Sequence, residues 1–150
     1  MDNKEKDIIV KICESITLPL ALLLGIYIVL HGHLSPGGGF QGGVIIASAV
    51  LIFYIAYGRE KTLNIFSKSK FSKIEEVGAL TFIFVASLGI IYGVSFFSNV
   101  LNKGSLGNIF SSGTIFFMNF AVGYKVLAGI SVLILVMISC LKEGEKRDGF

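Results

Sequence analysis

Four long apolar runs separated by short polar segments organise the chain: Ile16–Leu30, Val44–Tyr57, Val77–Phe97 and Thr114–Leu141. None of them alternates with polar residues, as a half-buried strand or the core face of a water-soluble helix would. Crossing a bilayer as a helix takes ~20 predominantly apolar residues. The first run is short for that and draws on Ile8, Ile9, Val10 and Ile12 upstream; Pro19 near its start either opens or kinks the helix. The second run has only fourteen residues, so its span must begin inside the glycine-rich segment before it. The pattern predicts an all-α integral membrane protein, a single domain over 1–150, with four transmembrane helices in two hairpins at about 10–31, 38–57, 77–97 and 115–141. His-Gly-His-Leu-Ser-Pro after the first run lacks a small-x-small cleavage site, so that run reads as a helix and not as a signal peptide. The chain shows no heptad array and no 20–50-residue repeat.

The segment between the first two runs, HGHLSPGGGFQGG (31–43), is the most distinctive in the chain. It holds six of the eighteen glycines. Pro36 removes a donor and fixes one φ, and Gly37, Gly38, Gly39, Gly42 and Gly43, around Phe40 and Gln41, allow backbones to approach closely. This predicts a tight hairpin motif that brings two membrane helices together. Gly37, Gly39 and Gly42 also spell G-x-G-x-x-G, but a dinucleotide site needs a strand and a βαβ unit around that motif, and here an apolar run precedes it. Part of 36–43 falls at hydrocarbon depth, where irregular backbone is tolerated only under a cover of protein or beside a water-filled cavity.

Charge then orients the chain. Only 15% of residues are charged, against 53% hydrophobic, where a soluble domain carries roughly a quarter charged residues. Lys4, Lys6 and Lys11, then Arg59, Lys61, Lys68, Lys70 and Lys73, then Lys142, Lys146 and Arg147 fall on one side of a four-span chain, eleven in all. Lys103 stands alone on the other side, so the positive-inside rule predicts cytoplasmic termini. The basic segment 58–76, interleaved with Leu63, Ile65, Phe66 and Phe71, reads as a membrane-surface loop; anionic headgroups account for its charge without nucleic acid. Cys13 and Cys140 then lie near a reducing compartment with no disulfide or metal role. His31 and His33, two residues apart with no third ligand nearby, make a poor zinc site and suit interfacial hydrogen bonding or proton exchange.

Within the spans, Lys125 is the informative charge. Ten residues after Ile115 place it ~15 Å into the fourth helix, near the bilayer midplane. Intramembrane charges usually face a bundle interior or a water path. Its neighbours Ala121, Ala128 and Gly129 leave room for another helix, and with no Asp or Glu expected at that depth the ionic partner is expected on another subunit. Gly89 and Gly93, and likewise Gly123 and Gly129, are expected to serve helix packing. Ser48, Thr81, Ser87, Ser95, Asn119 and Ser131 offer oxygens in the spans, and no buried carboxylate is expected among them. Lys125, Asn119, His31 and His33 are therefore the ion-path candidates; a catalytic constellation is lacking.

HGHLSPGGGFQGGVIIASAVLIFYIAYG (31–58) and SGTIFFMNFAVGYKVLAGI (112–130) resemble the two signature blocks of the MnhB/MrpB-like component of Mrp-type multisubunit sodium/proton antiporters. The resemblance implies a cell-membrane subunit with no cofactor, working with other subunits on sodium and protons as transported species. It equally resembles the corresponding module of membrane-bound hydrogenases and related redox-driven complexes. A purely structural scaffold role stays open at this point.

Overall fold

A computed structural model describes residues 3–34, 38–102, 104–105 and 111–147. It contains four helices: α1 (Asn3–His31), α2 (Gly39–Ile65), α3 (Lys68–Ile91) and α4 (Thr114–Arg147). Each is long and apolar enough to cross a membrane, and the described residues contain no strand. The expected class and helix number hold.

The helices pack as a row and not as a closed bundle. α1 lies against α2, α2 against α4, and α4 against α3, with only a grazing contact between α1 and α4. The seams are lined by small residues: Ala47 and Ala128 are fully buried, and Ala86 and Ala121 nearly so. Large side chains point outward, with Leu23, Leu80, Ile91 and Met137 each about two-thirds exposed on the isolated chain. Small residues inside and large apolar ones outside suit helices surrounded by lipid or by other subunits, where close backbone approach rather than water exclusion drives association.

The helix boundaries differ from the sequence pattern at several points. The basic segment 58–76 is not a loop, because α2 runs to Ile65 and α3 begins at Lys68. Part of it folds back onto the spans, where Phe66 packs edge-on against Phe53 and beside Phe71, and Thr62 is fully buried, while Ile65 stays exposed. The helix is nevertheless interrupted at Gly58, whose φ of 76° and ψ of 180° are non-helical. Secondly, α3 stops at Ile91 rather than Phe97. Gly93 (φ 74°) and Phe97 (φ 64°) turn the chain, and the Phe97 amide donates back to the Ala86 carbonyl at 3.2 Å. Lastly, Pro19 sits within α1 and does not open it.

Candidate functional site

α2 begins inside the glycine stretch, as its short apolar run requires. Gly38 is the N-cap, and Gln41 reaches back so that its Oε1 accepts from the Gly38 amide at 3.0 Å. This is the return half of a capping box, with glycine in place of the usual serine or threonine. Pro36 and Gly37 lie outside the described residues. Phe40 points outward, 59% exposed, so it is not part of the seam.

The glycines of the first α2 turns face two ways. Gly39 and Gly43, one turn apart, lie on α4. A Cβ on Gly39 would overlap the Asn119 carbonyl oxygen, and one on Gly43 would stand 2.6 Å from the Gly123 carbonyl oxygen. Gly42 faces α1, where a Cβ would lie 2.8 Å from the Gly25 carbonyl oxygen and 2.6 Å from Val29 Cγ2. The motif therefore lets one helix approach two neighbours at backbone distance, and Gly123 and Gly25 are its counterparts on them.

Asn119 closes this junction. Its Oδ1 accepts from the Gly39 amide at 2.6 Å, and its Nδ2 donates to the Val29 carbonyl at 2.8 Å. Both partners are helix-end groups with no intrahelical mate, since α1 ends at His31 and α2 starts at Gly39. One side chain on α4 thus satisfies the end of α1 and the start of α2. Its amide is engaged in a clamp, which is structural work that an ion-path residue need not do.

The histidines diverge. The His31 Nδ1 donates to the Tyr27 carbonyl at 3.1 Å, and the ring stacks on Tyr27. His33 instead shares a 3.1 Å hydrogen bond between its Nε2 and the buried Ser111 Oγ and packs edge-on to Phe116. Its Nδ1 is buried without a partner. No group of three or more potential metal-binding side chains occurs among the described residues.

Lys125 lies on the α3–α4 seam. A Cβ on Gly78 would stand 3.0 Å from Lys125 Cβ, and Gly129, the next turn of α4, faces the Glu75 carboxylate. The small neighbours Ala121, Ala128 and Gly129 admit another helix, and it is this chain's own α3. The side chain itself is exposed and lines an apolar groove with Ala79, Phe82, Ile83 and Val122. No ion pair with Lys125 forms among the described residues. The expectation that acidic residues lie far from it needs correcting, since Glu75 is placed beside Gly129, about one helical turn along α4.

Other expectations also change. Gly89 does not face a second helix, because a Cβ there would run into the Ser95 carbonyl oxygen of the returning loop. Gly93 lies beyond α3 in a left-handed turn with nothing within 4 Å of its Cβ position. Their four-residue spacing reflects a helix end and its turn. The span hydroxyls do not converge: Ser48, Thr81 and Ser87 each donate to a carbonyl of their own helix, while Ser131 is buried and unpartnered.

Two residues escaped the sequence reading. Asn99 accepts from the Thr114 amide at 2.9 Å and from its hydroxyl at 2.6 Å, and donates to the Ser112 carbonyl at 2.9 Å. It caps α4 from fifteen residues away, for which the sequence carries no local signal. Glu14 is the buried carboxylate that was not expected: it is only 8% exposed, inside α1, beside an apolar cavity lined by Ile9, Val10, Ile52 and Ile55. Its place among the lysines and acids of 1–14 made it look like part of a solvated start.

Residues 9–132 match the family model described as a domain related to the MnhB subunit of Na+/H+ antiporter. Among relatives, an uncharacterized protein of Methanocaldococcus jannaschii is 36% identical over 140 residues, 87% of this chain and 53% of that protein. A Staphylococcus epidermidis protein named as antiporter subunit mnhB2 is 32% identical over 62% of this chain and 65% of its own length. Its namesake in Staphylococcus aureus strain MRSA252 is 29% identical over 91% of this chain and 95% of its own length. The match thus spans about half of the first relative and just under two-thirds of the second, but nearly all of the third. The matched stretch contains the clamped glycine block and Lys125 alike, and the chain belongs to the family of domains related to the MnhB subunit of Na+/H+ antiporters.

Proposed function

We propose that this chain is a membrane subunit of a multisubunit sodium/proton antiporter, seated in the cytoplasmic membrane with both termini inside the cell. The family match over residues 9–132 carries the reading. The row-like fold supports it, since helices packed in a single layer leave broad apolar faces for neighbouring subunits and lipid. Sodium binds several oxygen ligands, and the hydroxyls of these spans are scattered and turned into their own helices. The primary sodium site therefore belongs to neighbouring subunits. This chain contributes the α3–α4 groove with Lys125, which tunes a shared route electrostatically or passes a proton along it. The role is that of a transporter subunit, not an enzyme.

The test is sodium-driven proton movement in everted vesicles from cells that express the remaining subunits with or without this chain. Exchange restored only with the chain supports the reading. Equal exchange without it, from a complex that assembles fully, refutes it.

A further inference from the structure

α1 and α4 flank α2 and only graze each other, so a trough runs between them with α2 as its floor. Two cavities of about 260 and 160 Å³ lie along it and share Ile46 of α2 and Leu127 of α4 as lining. The α1 wall is Leu18, Leu22, Ile26 and Leu30, one face of the helix at four-residue spacing. Leu18 to Leu30 is ~18 Å along the helix. One leaflet contributes a similar length, ~15 Å of a ~30 Å hydrocarbon core. In the smaller cavity every lining side chain is apolar except Ser131. Ser131 is 1% exposed and its hydroxyl has no hydrogen-bond partner, whereas Ser48, Ser87 and Ser139 each donate to a carbonyl of their own helix. A trapped water would need about two to four polar partners, and the cavity offers this one.

Depth places that hydroxyl at a membrane boundary. Ser131 lies seventeen residues after Thr114, the first residue of α4. That is ~25 Å, near the far edge of the hydrocarbon core. Phe66 and Phe71, from the turn between α2 and α3, line the same cavity. Phe71 is twenty residues before the end of α3 at Ile91, or ~30 Å, at the same boundary. Lys68 stands one turn before Phe71 on the same face of α3. Lys68, Lys70 and Lys73 are all exposed, and 66–73 contains no acid. Glu75, next along α3, faces Gly129 of α4. Arg59 and Lys61 are engaged elsewhere, on the Ser139 carbonyl and over the Tyr57 ring. A helix ~10 Å across is too wide to reach the α2 floor between two helices already in contact, and an acyl chain is not.

We propose that this trough binds an anionic phospholipid from the leaflet on the lysine side. One acyl chain lies along α1 from Leu18 to Leu30, the Ser131 hydroxyl donates to an ester carbonyl, and Lys68 and Lys70 hold the phosphate. The site goes beyond the antiporter reading, which it needs only to call that leaflet cytoplasmic. The test places the purified whole complex in phosphatidylcholine vesicles doped with a phosphatidylglycerol that carries a photoreactive diazirine midway along one acyl chain. A phosphatidylcholine with the same chain is the zwitterionic control, and adducts are located by peptide mass spectrometry. Adducts are expected at Leu22, Ile26 and Leu127, about tenfold or more abundant with phosphatidylglycerol, since each lysine near an anionic headgroup contributes about a fivefold preference. Lys68→Gln combined with Lys70→Gln should bring the two probes level. Ser131→Ala should lower adducts of both by about threefold to tenfold. The proposal is overturned if Leu23 and Leu24, exposed on the outer side of α1, are labelled while the trough is not, as a neighbouring subunit's helix seated there would cause. Equal labelling by the two probes, a preference that survives the lysine variant, or adducts indifferent to Ser131→Ala overturn it equally. Each of these failures leaves the antiporter reading standing, because exchange is measured separately.

Discussion

Replacing Asn119 with alanine removes both halves of the clamp at once. The Gly39 amide loses its 2.6 Å acceptor and the Val29 carbonyl its 2.8 Å donor. Neither has another partner within its helix, because each belongs to a helix end. Leaving a buried polar group unsatisfied costs about 1–3 kcal/mol. The site is half-buried and water can reach part of it, so the two groups together should cost about 2–4 kcal/mol. That is roughly one to three powers of ten in the ratio of correctly packed to unpacked chain. Asn119→Asp separates the two bonds: it keeps an acceptor for the Gly39 amide but sets an oxygen against the Val29 carbonyl. It should therefore destabilise about as much as alanine, although it differs from asparagine by one atom. The assay heats detergent extracts in steps and follows the intact complex by fluorescence-detected size exclusion, with exchange measured per assembled complex in everted vesicles. Both variants should lower the midpoint and the yield of complex, while the complex that survives exchanges at near-parental rate. If Asn119→Ala instead assembles and resists heat like the parent but fails to exchange, the clamp argument is wrong and Asn119 belongs to the ion route.

Four further expectations follow from the same geometry. Gly39→Val should abolish assembly, scored on blue-native gels, because its side chain must occupy the space of the Asn119 carbonyl; an assembled complex with altered ion selectivity would point instead to an ion-lining segment. Gly58→Ala meets no atom within 4 Å, yet its φ of 76° with ψ of 180°, a conformation almost confined to glycine, should still cost about 1–3 kcal/mol, read as a lowered thermal midpoint. Lys125→Ala should leave assembly largely intact and cut exchange, and Lys125→Arg should not restore it, because arginine is effectively never deprotonated; normal exchange per complex in both variants would remove Lys125 from the transport path. Finally, Ser105→Cys should react with an impermeant thiol reagent in whole cells and Ile65→Cys should not, in a background lacking Cys13 and Cys140; the reverse pattern would invert the topology.

Four apolar runs were enough to fix the class, the helix number and the start of α2 inside the glycine stretch, since span length is a one-dimensional property of sequence. The close-packing purpose of Gly39, Gly42 and Gly43 was equally legible, because a cluster of residues without side chains in an apolar chain has few other uses. Partner identity was not. Whether Gly42 meets α1 or α4 depends on helix order, and the order α1–α2–α4–α3 arises from contacts between helices distant in sequence, such as Gly39 with Asn119, eighty positions apart. Gly89 and Gly93 show the same limit from the other side: their spacing matches a packing face, but the helix ends at Ile91 between them, Gly93 turns the chain at positive φ, and the returning loop fills the space beside Gly89. The clamp made by Asn119 and the burial of Glu14 were illegible for one reason. A polar residue declares its chemistry in the sequence, but whether its hydrogen-bonding capacity is spent on the fold or left for a ligand depends on which backbone ends and side chains the tertiary structure brings to it.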